Sequence, residues 1–248
     1  MSGSISHIRR QFLIVAAGIA AAMVCLPSVR AQVAQTPQPH KIGIIGSGAQ
    51  GGNIGLLWAQ AGHEVLFSSR HPEELKELVA KAGPKAKAGL PQDAAAFGDV
   101  VLIAVPYGAL PQVGRDYAAQ MKGKVVIELG NPREDRDGAM ANDAMARGTG
   151  VASAEYLPGV RLVRALNALS ATQVQRDAHR SGELLGVPVA GDDAQAVQVA
   201  VQLVKDAGFD PVVVGGLARA REFDRNTPVY VKGMTAKQIR EALKLPPQ

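Results

Sequence analysis

The feature that most constrains this fold is the stretch KIGIIGSGAQGGNIG at residues 41–55. A short apolar run ends at Gly46, and a glycine-rich turn leads from it into a segment with helical spacing. The turn has the pattern G-x-G-x-x-G, whose glycines permit a tight turn, close backbone approach to a pyrophosphate and close helix–strand packing. Its residues are Gly46, Ser47, Gly48, Ala49, Gln50 and Gly51. In this context the pattern predicts a dinucleotide-binding unit, and a glycine-rich turn without a ligand is the alternative.

Short apolar segments alternate with helical segments through the rest of the chain. Their apolar residues are mostly continuous, which is typical of parallel strands covered on both faces. The strand candidates are 41–46, 64–69, 99–105, 124–129, 161–167, 183–191 and 210–216. The main helix candidates are 49–61, 72–82 and 193–207, the last with Asp192 as its expected N-cap. This alternation predicts an α/β fold with a doubly wound, mostly parallel, Rossmann-like sheet. Residues 217–248 are expected to form a short C-terminal helical extension with a break at Thr227-Pro228.

The first 31 residues have the pattern of an export signal. Residues 1–10 are basic without an acidic residue, and Phe12–Leu26 is an apolar run that is short for a membrane span. The pair Arg9-Arg10, followed by Phe12-Leu13, resembles the twin-arginine motif, which directs folded proteins to the periplasm. We therefore expect a cleaved signal peptide and a periplasmic protein, and an uncleaved anchor helix is the alternative.

The domain boundaries follow from that signal. Cleavage is expected after Ala31, residues 32–40 read as a Pro-containing linker, and 41–248 is the expected nucleotide-binding domain with its extension. The only cysteine, Cys25, lies within the signal, so the remaining chain has no disulfide or thiolate metal site.

Charge and composition exclude two classes of partner. The formal net charge is +5, and it falls to +2 without the first 31 residues, which hold three arginines and no acidic residue. Aromatic residues make up only 4% of the chain, so platforms for base stacking are scarce. We therefore expect no nucleic-acid partner and no stable membrane insertion after signal cleavage. The sequence leaves a homodimer open.

The end of the second strand candidate indicates which dinucleotide is bound. An NAD-binding unit usually has an acidic residue there, about 20 residues after the turn, to bond the ribose 2′-hydroxyl. Here Ser69 and Arg70 occupy the place, and Glu64 lies at the opposite end of the strand. A hydroxyl and a guanidinium suit a 2′-phosphate, so NADP(H) is favoured over NAD. A solvated turn before Pro72 is the alternative, and His71 is either a third phosphate contact or the first residue of the next helix.

Further segments carry a resemblance to a known family across residues 41 to about 225. They are IGIIGSGAQGGNIG, SSR, VLIAVPYGAL, ELGNP, LVRALNALSA, VAGDD and GFDPVVVGGLARAREF. In this order they resemble the deazaflavin (coenzyme F420)-dependent NADP reductases, whose nucleotide domain also occurs in membrane ferric reductases. The resemblance implies NADP(H) as cofactor and a flavin-like or deazaflavin-like second substrate.

The resemblance also implies a set of site residues. Contacts to NADP are implied for Ser47, Ala49, Gln50, Ser69 and Arg70. The nicotinamide side is implied to be lined by Ala104, Val105, Pro106, Tyr107, Leu129, Gly130 and Asn131. Asn167 matches the family's asparagine, whereas Ala168 stands where the family has threonine, which bears on the second-cofactor site. A tyrosine such as Tyr107 is by itself more often a packing residue than one that stacks on a ring.

No residue set in the sequence resembles an acid–base or metal site. The histidines are scattered, and Asp192-Asp193 reads as a helix cap rather than as metal ligands. Hydride transfer between two bound rings needs mainly proximity and orientation, so an oxidoreductase without catalytic side chains is expected. A reductase of C=N or C=O bonds is a second reading, with Tyr107, His179 or Glu222 as proton donor. A non-catalytic dinucleotide-binding protein is a third.

Overall fold

One eight-stranded sheet organises residues 39–246, the part of the chain that the computed structural model describes. The strands are β1 (Lys41–Ile45), β2 (Glu64–Ser68), β3 (Ala86–Gly89), β4 (Val100–Ile103), β5 (Val125–Glu128), β6 (Arg161–Ala165), β7 (Gly186–Gly191) and β8 (Asp210–Gly215). Their order across the sheet is β3-β2-β1-β4-β5-β6-β7-β8. Among these strands only β6 and β7 pair antiparallel. The predicted α/β, mostly parallel, Rossmann-like architecture is therefore confirmed.

Helices cover the two faces of this sheet. The α-helices are α1 (Ala49–Gln60), α2 (Lys76–Ala82), α3 (Pro91–Phe97), α4 (Leu110–Asp116), α5 (Ala118–Met121), α6 (Glu134–Asp137), α7 (Ala139–Arg147), α8 (Thr149–Tyr156), α9 (Ala171–Asp177), α10 (Ala194–Asp206) and α11 (Ala236–Ala242). In the described part of the chain, three 3-10 helices span Pro72–Leu75, Tyr107–Ala109 and Leu217–Glu222.

The central strands are apolar on both sides because each face packs against helices. One face of β1 buries Ile42 and Ile44 in a core shared with α1 and α10, and the other buries Ile45 beneath α3 and α4. Trp58 of α1 is fully buried, and its indole N–H donates to the Leu203 carbonyl of α10 at 2.7 Å. Burying side chains of this size contributes about 1.5–3 kcal/mol each, so the first helix is fixed firmly against the sheet.

The strand order places a crevice at one edge of the sheet. Strand β1 lies between β2 and β4, so the chain turns to opposite faces on leaving β1 and β4. At such a switch point the loops after neighbouring parallel strands separate, and a ligand can enter between them. The glycine turn, Ser69-Arg70 and Val105-Pro106 therefore meet at the carboxyl ends of β1, β2 and β4.

Three details differ from the sequence prediction. Strand β3 was not predicted, because Ala86–Gly89 is a four-residue edge strand without β-branched residues. The N-cap of α10 is Asp193, whose carboxylate accepts from the Ala196 N–H at 2.8 Å. Asp192 instead accepts from the Leu217 N–H at 2.8 Å and so holds the start of the 3-10 helix after β8.

The predicted signal peptide lies outside the described residues, as does most of the predicted linker. Within residues 39–246, no helix is long and apolar enough to cross a membrane. The C-terminal extension has the predicted two-part form, with a non-helical connection containing Pro228 between the 3-10 helix after β8 and α11.

Candidate functional site

The glycine turn has the geometry of a phosphate-binding loop. Gly46 has φ +97°, a left-handed conformation that favours glycine. A Cβ at Gly51 would collide with the Gly46 carbonyl oxygen, so α1 approaches β1 as closely as the pattern predicts. A Cβ at Gly48 would meet nothing within 4 Å, and no side chain caps this end of α1. The first N–H groups of the helix therefore face open space, where a pyrophosphate can accept hydrogen bonds.

Ser47 ties this turn to the end of β2. The Ser47 N–H donates to the Ser68 carbonyl at 3.0 Å, and the Ser68 N–H donates to the Ser47 hydroxyl oxygen at 2.8 Å. The Ser68 hydroxyl donates to the Ile44 carbonyl at 2.6 Å, which closes the link between β1 and β2. The pyrophosphate turn and the predicted 2′-phosphate position are thereby held at a fixed separation.

Ser69 and Arg70 lie immediately beyond β2 and line the same cleft. Arg70 is exposed and forms no ion pair with another described residue, so its guanidinium can meet a ligand anion. The Ser69 hydroxyl oxygen accepts from the His71 N–H at 3.0 Å, which leaves its own proton available for donation. His71 is exposed and caps the 3-10 helix Pro72–Leu75, which is one of its two predicted positions.

The cleft between these segments has a volume of about 700 Å³. Its polar end is formed by the glycine turn and Ser69-Arg70, and its wall continues to the loop after β4. The rest of the lining is mixed. Its apolar residues suit a flat heterocycle: Ile45, Leu75, Pro91, Val105, Pro106, Ala109, Val113 and Tyr117. Glu74, Gln112 and Asp116 add polar and acidic groups to the same lining. The size and the order of polar and apolar surfaces fit a dinucleotide.

The loop after β4 forms the far wall of the cleft. The Ala104 N–H donates to the Ile45 carbonyl at 2.9 Å, and Val105 and Pro106 line the cleft as predicted. Tyr107 does not, because its side chain is only 1% exposed and its hydroxyl lies 3.1 Å from the Ser153 hydroxyl. Burial raises the pKa of this phenol well above its usual value. The structure therefore favours the packing role of Tyr107 over the implied position on the nicotinamide side.

Asn131 and Asn167 come together after β5 and β6. The Asn131 amide donates to the Asn167 carbonyl at 2.9 Å, and the Asn167 amide donates to the Asn131 side-chain oxygen at 3.3 Å. Asn131 is partly exposed, whereas Asn167 is buried and also donates to the Phe223 carbonyl at 3.4 Å. Asn167 thus lies behind Asn131 and orients it, instead of lining the open surface as the resemblance implied.

The side chain of Gln50 also points away from the predicted pyrophosphate. Its amide donates to the Leu166 carbonyl at 3.2 Å and to the Leu169 carbonyl at 2.8 Å. The backbone of Gln50, like that of Ala49, remains at the open start of α1. A contact of Gln50 with the nucleotide is therefore restricted to its backbone.

Comparison with known proteins identifies the family. A model of the family described as NADP oxidoreductase coenzyme F420-dependent matches residues 41–132. The F420-dependent NADP reductase of Methanothermobacter thermautotrophicus is 30% identical over 216 residues, which cover 82% of this chain and 92% of that protein. The chain belongs to this family. The prediction of an NADP-linked oxidoreductase is thereby confirmed at the level of the family.

One further relative and one solved structure define the extent of the likeness. The metalloreductase STEAP3 of Rattus norvegicus is 27% identical over 203 residues, which cover 77% of this chain but only 37% of that protein. A solved structure from Sinorhizobium meliloti superposes with a TM-score of 0.70 at 24% identity, covering 80% of this chain and 96% of the other, and shares the fold.

A buried charged network beneath the site of this F420-dependent oxidoreductase family member was not predicted. Arg164 of β6 is fully buried, and its guanidinium contacts the Glu128 carboxylate and the Glu128 carbonyl, the latter at 3.1 Å. Its other terminal nitrogen lies 3.5 Å from the Asp224 carboxylate. Burial raises the pKa of the Glu128 carboxyl, while the charge of Arg164 opposes that shift. The sequence signal that could have predicted this network is one charged residue in each of two apolar strands, Glu128 in β5 and Arg164 in β6.

This network fixes the loop after β5, which carries Asn131, and the segments around Thr149 and Asp224. The Glu128 carboxylate accepts from the Gly130 N–H and, at 3.0 Å, from the Ser153 hydroxyl. The Asp224 carboxylate accepts from the Thr149 N–H at 3.0 Å and from its hydroxyl. One buried cation therefore connects the loop carrying Asn131 with the start of the C-terminal segment. Among the described residues, no group of acidic, histidine or cysteine side chains is arranged to hold a metal ion.

Proposed function

We propose that this protein binds NADPH in the cleft at the glycine turn and reduces a flat, deazaflavin-like acceptor of the coenzyme F420 type. The observation that carries the proposal is the open, uncapped start of α1 at Gly48, in one cleft with the exposed Arg70. The helix N–H groups suit a pyrophosphate, and the guanidinium suits a 2′-phosphate. The F420-dependent relatives supply the class of acceptor.

The bound nicotinamide supplies the hydride, so the chain has to bind, orient and exclude water. Val105 and Pro106 form an apolar wall at the end of the cleft, which suits one face of a ring. The Asn131 amide offers both a donor and an acceptor, and Asn167 fixes its orientation from behind. Such groups promote hydride transfer by holding two rings at the reacting distance, without a titrating side chain.

The geometry disfavours the reading as a C=N or C=O reductase. That reaction needs a proton donor beside the acceptor. Tyr107 is buried against Ser153, and Glu222 is paired with Arg219 at 2.6 Å. His179 is exposed on the loop before β7, where its backbone N–H donates to the Gly208 carbonyl at 3.1 Å. The first two are committed to other contacts in the described structure, and His179 is not among the residues that line the cleft. A deazaflavin fits better, because it receives the hydride at a ring carbon and can take its proton at a ring nitrogen from solvent.

We also propose that the protein is exported folded, with its nucleotide acquired in the cytoplasm. The support is the Arg9-Arg10 pair followed by Phe12-Leu13 and an apolar run. NADP is not expected at useful concentration outside the cytoplasm, which is also the argument for a non-catalytic role. Replacing both arginines by lysine should leave the precursor in the cytoplasm, and normal export of the double variant would contradict the proposal.

Binding and turnover assays test the proposed activity. Purified protein is titrated with NADPH and NADH by calorimetry and then mixed with NADPH and coenzyme F420, FMN, FAD, a cyclic imine or a ketone. We expect tighter binding of NADPH than of NADH, and NADPH oxidation that depends on a flavin-like or deazaflavin-like acceptor. Oxidation only by the imine or ketone would support the second reading, and binding without any oxidation the third. Light scattering of the same sample tests for a homodimer.

A further inference from the structure

The turn Leu166–Leu169, directly after β6, is held in a strained conformation. Leu166 has φ 65° although its side chain is fully buried. Bulky residues rarely adopt this left-handed conformation, and they persist in it only where surrounding contacts hold them. The turn carries Asn167, whose amide and carbonyl orient Asn131 at the acceptor side.

Each of the four carbonyls in this turn accepts a hydrogen bond from outside it. Asn131 holds the second carbonyl at 2.9 Å, and the Val231 N–H holds the third, that of Ala168, at 2.9 Å. The first and fourth carbonyls are both held by the side-chain amide of Gln50, at 3.2 and 2.8 Å. A single side chain from another segment therefore clamps both ends of the strained turn.

Gln50 is the second residue of α1 and lies within the glycine turn. Its backbone belongs to the helix start that faces the predicted pyrophosphate, while its side chain reaches across to the turn after β6. Two direct hydrogen bonds thus join the nucleotide-binding segment to the segment that orients Asn131. This is a contiguous physical connection of the kind that can carry coupling between two sites.

We infer that Gln50 is a positioning residue that couples dinucleotide binding to the ordering of the acceptor side. The inference rests on the proposed function for the identity of the two ligands. A nucleotide that orders the start of α1 also orders the Gln50 amide, and that amide restrains the turn carrying Asn167. Asn131 then presents its amide to the acceptor in one orientation.

Asn53 provides a matched control on the same helix. Its side-chain amide donates to the Ala171 carbonyl at 3.2 Å, one helical turn further along and beyond the strained segment. Gln50→Met and Asn53→Leu each replace an amide by an apolar group of similar size. Both remove contacts between α1 and the region after β6, but only Gln50→Met removes contacts to the turn itself.

Hydrogen exchange of the peptide covering 166–169, with and without NADPH, tests the inference. In Gln50→Met the peptide should exchange about tenfold faster than in wild type, since two hydrogen bonds are lost, and Asn53→Leu should match wild type. Added NADPH should slow exchange in wild type and in Asn53→Leu but not in Gln50→Met. Gln50→Glu keeps the shape of the side chain but replaces the donating amide by a carboxylate, which cannot donate to the two carbonyls. It should therefore behave like Gln50→Met. This second variant keeps the test valid if the methionine variant does not fold.

A kinetic measurement separates positioning from general stability. With coenzyme F420 as acceptor, Gln50→Met should raise the acceptor KM by a larger factor than it raises the Kd of NADPH. Asn53→Leu should change neither the KM nor the Kd. Equal exchange of the turn in wild type and both Gln50 variants, or equal effects of the Gln50 and Asn53 variants, would overturn the inference. So would a wild-type turn that NADPH does not protect. A wild type that shows this protection but reduces no acceptor would instead contradict the proposed function and leave the coupling intact.

Discussion

The nucleotide side and the acceptor side of the cleft are built in different ways. The nucleotide side comes from one continuous stretch, residues 41–70, and offers mainly backbone N–H groups and one exposed guanidinium. The proposed acceptor side is assembled from segments near residues 105, 130, 166 and 230. The side chains of Asn131 and Asn167 bond one another there, and the Val231 N–H donates to the Ala168 carbonyl. The first is open and uses local geometry, whereas the second is partly buried and depends on contacts between distant parts of the chain.

This difference indicates where substitutions affect binding and where they affect folding. On the nucleotide side, the groups expected to contact the ligand contribute little to the packing of the protein. On the acceptor side, Arg164, Glu128 and Asp224 are buried, so the groups that position Asn131 also stabilise the domain. Buried ion pairs are costly to break from one side, because the remaining charge has no partner.

The largest effect is expected for the buried pair. Glu128→Leu should lower the free energy of unfolding by about 3–5 kcal/mol, because it removes the close partner of the buried Arg164 and leaves only Asp224, at 3.5 Å. The double variant Glu128→Leu/Arg164→Met should regain part of this loss, because no buried cation remains, while Asp224 keeps its bonds from Thr149. Urea unfolding measures both. Equal stability of the single variant and wild type would show that the acceptor side does not depend on this network.

Substitutions at two glycines of the turn should affect different properties, NADPH binding at Gly48 and packing of the protein at Gly51. Gly48→Val should weaken NADPH roughly a hundredfold or more, because its side chain enters the space of the pyrophosphate and several hydrogen bonds are lost together. Its melting temperature should stay close to wild type, since a Cβ at this position would meet nothing within 4 Å. Gly51→Ala should instead lower stability by about 1–3 kcal/mol through overpacking against Gly46. Unchanged NADPH affinity in Gly48→Val would contradict the assignment of the turn.

A smaller and more selective effect is expected at Arg70. Arg70→Ala should weaken NADPH by about one to two powers of ten, because a charge-assisted contact to the 2′-phosphate is lost. NADH lacks that phosphate, so its Kd should hardly change. Ser69→Asp should go further, since a carboxylate repels the phosphate and can accept from the ribose hydroxyls. Equal losses for both nucleotides would make Arg70 a general electrostatic residue.

The smallest expected effect is on the pH dependence of stability, and it comes from His63, which belongs to neither side of the cleft. Burial lowers the pKa of His63 below its ordinary value of 6.5, against the opposing effect of Asp206 at 3.0 Å. The unfolded chain therefore binds a proton more readily than the native protein, and stability should fall as pH drops through 6.5 toward the native pKa. His63→Gln should reduce this pH dependence in urea unfolding between pH 7.5 and 5.5, and His71→Gln, on an exposed side chain, should not.

The sequence was sufficient for the nucleotide side because its signals are local. Gly46, Gly48 and Gly51 each lie where the pattern requires, and the residues after β2 line the cleft as predicted. The acceptor side was less predictable because its geometry depends on contacts over more than 30 residues. The spacing of the sequence does not reveal that Gln50 reaches the turn after β6 or that Tyr107 packs beneath the surface.

In the sheet, too, the sequence predicts the elements that have a local pattern and misses those that depend on contacts between distant segments. Six of the eight strands within residues 39–246 match their predicted ranges to within two residues at either end, because their apolar runs are continuous. Strand β7 begins later than predicted, at Gly186, and its antiparallel pairing with β6 has no local sequence signal. The short edge strand β3 lacks an apolar run altogether.

Hydride transfer from the nucleotide side to the acceptor side is the central claim, and isotope labelling tests it most directly. NADPH carrying deuterium at the transferred position of its nicotinamide is mixed anaerobically with the protein and oxidised coenzyme F420, and the reduced deazaflavin is examined by mass spectrometry. The account predicts that the deuterium appears in the reduced deazaflavin, because the two rings lie against one another with water excluded. Loss of the label to solvent, or no reduction by a protein that binds NADPH, would contradict it.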